Sequence, residues 1–386
     1  MQRGPTGELS VQILGGERVP AFVPGPLPPE PPIVFDAGMQ RHLERASLAV
    51  GRLDSVSTLL PDTHLFLYSY VRKEALLSSQ IEGTQSSLSE LLLFEIDDAA
   101  GAPLDDVVEV TNYVAALEHG LALLRGGLPL CNRVLREVHG RLLARGRGSD
   151  KAPGQFRSTQ NWIGGSRPGN AQFVPPPPER VEECMQRLEQ FLHEVDGPPL
   201  LVRAALAHAQ FETIHPFLDG NGRVGRLMIS LMLHAAGQLE EPMLYLSLFL
   251  KQNRREYYRL LDAVRESGDW EAWISFFLTG VAECADGAVE TARRLMALFE
   301  RDRLAIQQVG RRANSALRVH DAMKARPLQR LTNIAERTKL SFVAASRGMD
   351  VLIDKGIARE LTGQRRNRVF AYGDYLAILN EGTENL

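Results

Sequence analysis

The sequence predicts a mainly α protein, and three observations carry that prediction. Apolar residues recur at helical spacing through most of the chain after Asp36. Strand-like texture is confined to residues 154–178, where Phe156, Trp162, Ile163, Phe173 and Val174 flank a turn-forming run at 164–170. Start and stop residues punctuate the helical stretches. Ser87-x-x-Glu90 forms a capping box ahead of an apolar run, and Gly83 can take the positive φ that ends a helix.

At 386 residues the chain has room for two or three domains, each able to bury a core. Lys+Arg 44 against Asp+Glu 47 gives a formal charge of -3, which excludes a uniformly basic nucleic-acid binder and a grossly acidic disordered chain. That total hides an asymmetry. Residues 311–370 hold 14 basic and 5 acidic side chains, a surplus of nine, and the other 30 and 42 leave -12. Cys131, Cys184 and Cys284 are odd in number and far apart, neither a disulfide framework nor a metal-ligand spacing, so a cytoplasmic setting is expected. No uninterrupted apolar stretch reads as long enough to cross a bilayer, so no membrane partner is expected.

Taken in order, residues 1–34 are rich in Pro and Gly and read as an extended arm. Residues 35–110 form a helical N-terminal region in which a helix over 65–81 stops at Gly83. Residues 111–285 make a helical core. Its helices are expected over 107–143, 181–195, 201–214, 222–236, 254–266 and from 270 to about 303, with the 154–178 hairpin closed by prolines at 175–178. Residues 286–310 read as a connecting helix or linker, and 311–386 as an appended basic domain. That domain has short amphipathic helices over 314–325, 332–338 and 342–354, then a turn around Gly363 loaded with Arg365, Arg366 and Arg368. This pattern resembles a winged helix-turn-helix. Its arginines would give salt-dependent contacts to duplex DNA, or the domain would dock protein and leave them solvated.

The chemistry concentrates at His215-Pro216-Phe217-Leu218-Asp219-Gly220-Asn221-Gly222-Arg223-Val224-Gly225-Arg226. A residue before proline is pushed away from αR, so the preceding helix should end near Ile214 and leave His215 at the mouth of a loop. After Gly222 the helical spacing resumes, and the new helix begins with glycines and with Arg223 and Arg226 near one face. A helix N-terminus with free N–H groups, glycines and arginines is a phosphate cradle. Asp219 is the type of oxygen ligand that Mg²⁺ shares with phosphates, and His215 can take a proton near neutral pH. The segment also matches G-x-G-x-x-G, but a dinucleotide fingerprint requires a strand before the glycines, and a helix and loop precede them here.

These twelve residues resemble, without a mismatch, the signature of the Fic (filamentation induced by cAMP) family, H-x-F-x-D/E-G-N-G-R-x-x-R. The resemblance extends over roughly 35–285 and implies a Fic helical core with a β-hairpin flap that docks the target. It implies a protein adenylyltransferase that moves AMP from ATP to a Ser, Thr or Tyr hydroxyl of a target protein. In that reading His215 is the base, Asp219 holds Mg²⁺, Gly220, Asn221 and Gly222 cradle the α-phosphate, and Arg223 and Arg226 bind the outer phosphates. Asn253 would reach the nucleotide.

Ser78-Ser79-Gln80-Ile81-Glu82-Gly83 also resembles the family's inhibitory-helix pattern, S/T-x-x-x-E-G/N. It implies that Ser78, Glu82 and Gly83 block the site, with Glu82 paired to Arg226 where the γ-phosphate belongs. Self-modification and a homodimer are further expectations of the class. Two alternatives stand beside this reading: a DNA-binding regulator that uses the core as a nucleotide sensor, and an enzyme that removes AMP with Glu82 orienting a water. His208, Tyr257, Tyr258, Trp270 and Trp273 read as core, and Trp162 as either hairpin packing or substrate contact.

Overall fold

Helices form at nearly every place where the apolar spacing puts them. The computed structural model describes residues 3–59, 63–96, 104–364 and 367–384. In the N-terminal region these helices are α1 (Ala37–Leu59), α2 (Thr63–Ile81), α3 (Leu88–Phe94) and α4 (Leu104–Arg125). The core continues with α5 (Asn132–Leu142), α6 (Pro178–Leu192), α7 (Leu200–Ile214), α8 (Asn221–Ala235), α9 (Ser247–Gln252), α10 (Arg254–Ser267) and α11 (Trp270–Gln307). Ser87 caps α3 as read from the sequence, with both halves of the box formed.

The centre of the core is α7. Its alanines at 204, 205, 207 and 209 are buried on every side, because small residues let α6, α8 and α11 approach closely. Trp273 of α11 reaches across and donates its indole N–H to the Ala205 carbonyl at 2.8 Å. Trp270, Tyr257 and His208 are buried as expected, His208 between the Tyr257 hydroxyl and the Gly225 carbonyl. Tyr258 departs from its core reading. It is 39% exposed, since it lies about 100° round α10 from the buried Tyr257, with the two ring centroids 5.0 Å apart.

Three other expectations need correction. Residues 1–34 are not merely an extended arm. They contain an antiparallel hairpin, β1 (Gly7–Leu14) with β2 (Glu17–Pro24), turned by Gly15 and Gly16 in left-handed conformations. Its β2 strand packs on the predicted flap, where the Phe22 N–H donates to the Val174 carbonyl at 2.8 Å. The flap itself is reduced to one antiparallel bridge, Ile163 to Phe173, because prolines at 175–178 cannot extend a ladder and Pro178 instead starts α6. Helices α4 and α11 run through positions 110/111 and 285/286, as the helices expected over 107–143 and from 270 to about 303 do. Finally, α11 is long and apolar enough to cross a bilayer by length and composition, but 56% of its most apolar window is buried inside the protein.

The basic C-terminal block comprises α12 (Ala313–Ala325), α13 (Leu331–Thr338) and α14 (Phe342–Asp354) beside a small antiparallel sheet. Its strands β3 (Leu328–Arg330), β4 (Ala358–Glu360) and β5 (Val369–Tyr372) are ordered β3-β5-β4, and α15 (Gly373–Asn380) follows. Arg365 and Arg366 of the expected wing lie outside the described residues, and Arg368 pairs with Glu360 at 2.7 Å. The block seats on α2 and on the end of α11. Tyr375 meets Ser69 at 3.2 Å, Tyr372 donates to Asp302, and Lys73 donates to the Glu381 carbonyl at 2.6 Å.

Candidate active site

The loop between α7 and α8 is shaped by its own sequence. Pro216 excludes αR from the residue before it, and His215 adopts φ 49°, ψ 60°, ending α7 in a left-handed turn. Gly220 takes φ 76° at the start of α8, a conformation glycine reaches without a Cβ penalty. Asn221 fastens the loop from inside. Its Oδ1 accepts from the Phe217 N–H and its Nδ2 donates to the Phe217 carbonyl, both at 2.8 Å. Its side chain is therefore spent on the loop, which leaves its backbone N–H as the donor it can offer at the helix end. No side chain caps α8, so its first-turn N–H groups lack intrahelical partners.

Two residues that the sequence reading missed hold this loop in place. Arg157 is buried and donates to the carbonyls of His215 at 2.9 Å, Pro176 at 2.5 Å and Thr159 at 3.4 Å, tying the histidine turn to the flap. His139 stacks on Phe217 with ring centroids 3.7 Å apart. Its Nδ1 accepts from the Gly154 N–H, so its Nε2 carries the proton and donates to the Asp219 carbonyl at 3.0 Å. Burial pushes this imidazole down to about 4 and keeps it a neutral brace. Neither residue sits in a motif with a mechanism, so nothing in the sequence singled it out.

His215 itself is held neutral. Burial, and after it the Arg157 charge, pulls its imidazole down to about 4 against the opposing pull of Glu82. Its Nδ1 is buried without a hydrogen-bond partner. A neutral imidazole with a free ring nitrogen can accept a proton across the whole physiological range.

The expected pairing of Glu82 with Arg226 is present. Arg226 Nη2 donates to Glu82 Oε1 at 2.8 Å and to the Ser78 carbonyl at 2.9 Å, and its Nε donates to Ser78 Oγ at 2.8 Å. Gly83 takes φ 102°, which turns the chain off α2 just where Glu82 must face α8. Burial opposes the Glu82 charge, but Arg226, with Arg223 and His215 behind it, holds the carboxyl below its ordinary range. The same carboxylate raises Arg226 despite complete burial. Glu82 Oε1 lies so close over α8 that a Cβ on Gly222 would come within 2.3 Å of it. A carboxylate thus occupies the anion position at the helix N-terminus. The Glu82 side chain keeps 33% exposure.

Arg223 is committed elsewhere. It is 1% exposed and pairs with Glu109 of α4 at 2.6 Å and with Asp219 at 3.4 Å, and Arg147 binds the other Glu109 oxygen at 2.8 Å. Both arginines of the motif are therefore gripped by carboxylates from the N-terminal helical region, and Glu109 is a further residue that no sequence pattern marked. Asn253 occupies the N-cap position of α10 without a side-chain cap bond, and its amide donates instead to the Phe249 carbonyl at 3.0 Å. Trp162 is 40% exposed on the flap, a position open to a docked chain.

Among the described residues of the loop, the carboxylate open to a cation is Asp219. Its Oδ1 accepts from the Gly220 N–H at 2.6 Å, and its Oδ2 faces Gly148, where a Cβ would come within 2.6 Å. Among the described residues no group of three or more His, Cys, Asp or Glu side chains gathers around a metal position. One half-exposed carboxylate beside a phosphate cradle suits Mg²⁺, which takes few protein ligands and completes its shell with phosphate oxygens and water.

Comparison with known proteins agrees with this geometry. The family model described as Fic/DOC family N-terminal matches residues 40–122, and the Fic/DOC family model matches residues 129–233. The first span contains the Glu82 turn and the second the whole His215–Arg226 loop. Proteins named protein adenylyltransferase Fic from Drosophila grimshawi and Drosophila yakuba are 32% and 31% identical over 192 residues, 49% of this chain. The match spans only 36% and 35% of those relatives' own lengths. A Fic family protein from Desulfovibrio desulfuricans G20 shares the fold with TM-score 0.59 at 20% identity, covering 89% of this chain and 98% of its own. Fic-1 from C. elegans, residues 134–508, aligns with TM-score 0.52 at 22% identity, over 67% of this chain and 73% of its own. The two family spans lie on the helices that build the loop and on the helix that faces it, and over residues 40–122 and 129–233 the chain matches the Fic/DOC family.

Proposed function

We propose that the chain is a Mg²⁺-dependent protein adenylyltransferase that moves AMP from ATP to a hydroxyl side chain of a target protein, itself included, and that Glu82 restrains it. The observation that carries this reading is the neutral His215 at the mouth of an uncapped helix N-terminus whose anion position is filled by a carboxylate.

In this reaction the hydroxyl oxygen bonds to the α-phosphorus, the bond to pyrophosphate breaks, and His215 takes the hydroxyl proton. Backbone N–H groups of Asn221, Gly222 and Arg223 hold the charge that builds on the phosphoryl oxygens. Mg²⁺ on Asp219 would neutralise charge on the phosphates and on the leaving pyrophosphate. Arg226 is freed for a terminal phosphate only when Glu82 leaves it. The nucleophile is external, so catalysis is positioning plus charge stabilisation. Arg157 contributes by fixing the turn that aims His215. Incubating the purified protein with ATP, UTP or GTP and Mg²⁺, beside His215→Ala, tests the reading. Loss of labelling in the variant supports it, and equal labelling rejects it.

The same carboxylate supports a second reading, removal of AMP, with Glu82 orienting a water. An AMP-modified substrate that is cleaved by the wild type and spared by Glu82→Gly would favour it. For the C-terminal block we read a winged helix-turn-helix. Helix α14 opens with Phe342 and Val343, 56% and 58% exposed, an apolar tip that suits a protein partner as well as a DNA groove. Salt-dependent anisotropy of labelled duplex DNA with the full chain separates the two.

A further inference from the structure

Along α2, beside α11, lies a cavity of about 420 Å³, walled by α2, α9, α11 and the chain after α15. That volume is in the range of small-molecule sites. Its apolar wall comes from Leu77, Leu248 and Phe249, with the rings of Tyr70 and Tyr245 tilted at 37° and their centroids 5.3 Å apart.

The charge in this cavity is unbalanced. The basic side chains Lys73 and Arg294 are already engaged, Lys73 on the Glu381 carbonyl and Arg294 on both Glu381 carboxylate oxygens at 2.6 Å. Glu74 has no such cation in the cavity. It is 2% exposed, its Oε1 accepts from Ser247 and from Tyr113, and its Oε2 is buried with no partner. The Tyr245 hydroxyl is likewise buried without a partner, and the Glu74 charge acts on it directly. Two buried acceptor-capable oxygens on one wall lack a donor, and leaving such groups unsatisfied is costly. Burial raises Glu74 to about 7, against the lowering pull of Ser247 and Arg226.

We propose that this cavity is a binding site for a small organic cation with an apolar body, an arylalkylamine in class. The ammonium donates to Glu74 Oε2 and the Tyr245 hydroxyl, and the hydrocarbon lies against Leu77, Leu248 and Phe249. Such a ligand would sit on the helix that carries Glu82, eight residues or about 12 Å along its axis from Glu74. The site does not depend on the transfer chemistry.

Isothermal titration of the full chain with 2-phenylethylamine tests this, with 2-phenylethanol as the neutral control. One molecule should bind per chain with a dissociation constant at or below about 1 mM, and the alcohol at least tenfold more weakly, or roughly 1.4 kcal/mol. Glu74→Gln should weaken the amine by a similar factor. Gly287→Phe provides an independent block. Gly287 lines the cavity in mid-helix with nothing within 4 Å of an added Cβ, so the ring fills space without a backbone clash. Glu82→Gly should bind as the wild type does, placing the amine outside the nucleotide cleft. No binding at about 10 mM, equal binding of the alcohol, insensitivity to Gly287→Phe, or loss in Glu82→Gly would each overturn the proposal.

Discussion

Replacing Glu82 by glycine should convert a closed nucleotide site into an open one, and the size of the change follows from the geometry. The pair is one charge-assisted hydrogen bond of 2.8 Å between a fully buried guanidinium and a carboxylate open to water on one side. Two unit charges about 4 Å apart interact by ~4 kcal/mol at an effective dielectric of 20. Exposure of the Glu82 side chain roughly halves that, leaving ~2 kcal/mol that ATP must displace before it reaches Arg226. Glu82→Gly should therefore tighten ATP binding by ~30-fold. Glu82→Gln keeps the bulk over Gly222 and removes the charge, so it should recover only part of that, about fivefold. Titration calorimetry of the three proteins with ATP and Mg²⁺ measures both steps. Affinities for wild type and Glu82→Gly within about threefold of each other would refute the idea that this carboxylate competes with phosphate.

Other consequences are more local. Arg157→Leu leaves the carbonyls of His215, Pro176 and Thr159 without a donor in a buried setting and should cost ~3 kcal/mol in urea unfolding. Arg157→Lys should restore little, because a point charge cannot reach all of those carbonyls at once. Acid should destabilise the fold. Burial pulls the histidines at 139, 208, 215 and 320 to about 4, below their unfolded value of ~6.5, so the unfolded chain binds more protons between those limits and stability falls with pH through that window. Glu74 and Glu212, raised by burial to about 7, act oppositely but are fewer. Calorimetric melting at pH values across the window should show a declining Tm, with a shallower decline in His208→Gln. A flat profile would mean that these imidazoles are not held neutral.

The motif was legible because its residues have local reasons to be where they are. Pro216 sets the turn at His215, Gly220 and Gly222 permit the bend and the close carboxylate, and Gly83 turns the chain at Glu82. Helix placement was legible for the same reason, since 3.6-residue periodicity is local. Pairings between distant segments were not. Glu109 on Arg223, Arg157 on the His215 carbonyl and His139 under Phe217 join residues from 58 to 114 positions apart, and no spacing rule links them. The N-terminal hairpin was read as an arm because prolines at 24–32 dominate that stretch, although the strands themselves lie before most of them. Its partner is the flap, a contact that only the tertiary structure supplies.

The most direct test of the central claim is intact-mass analysis of Glu82→Gly beside the double variant Glu82→Gly/His215→Ala, after incubation with ATP and Mg²⁺ and an added hydroxyl-bearing protein substrate. Glu82→Gly should gain the mass of AMP on itself or on the added protein, the wild type far less, and the double variant none. AMP incorporation that is equal with and without His215, or no incorporation by Glu82→Gly into any protein present, would contradict that claim.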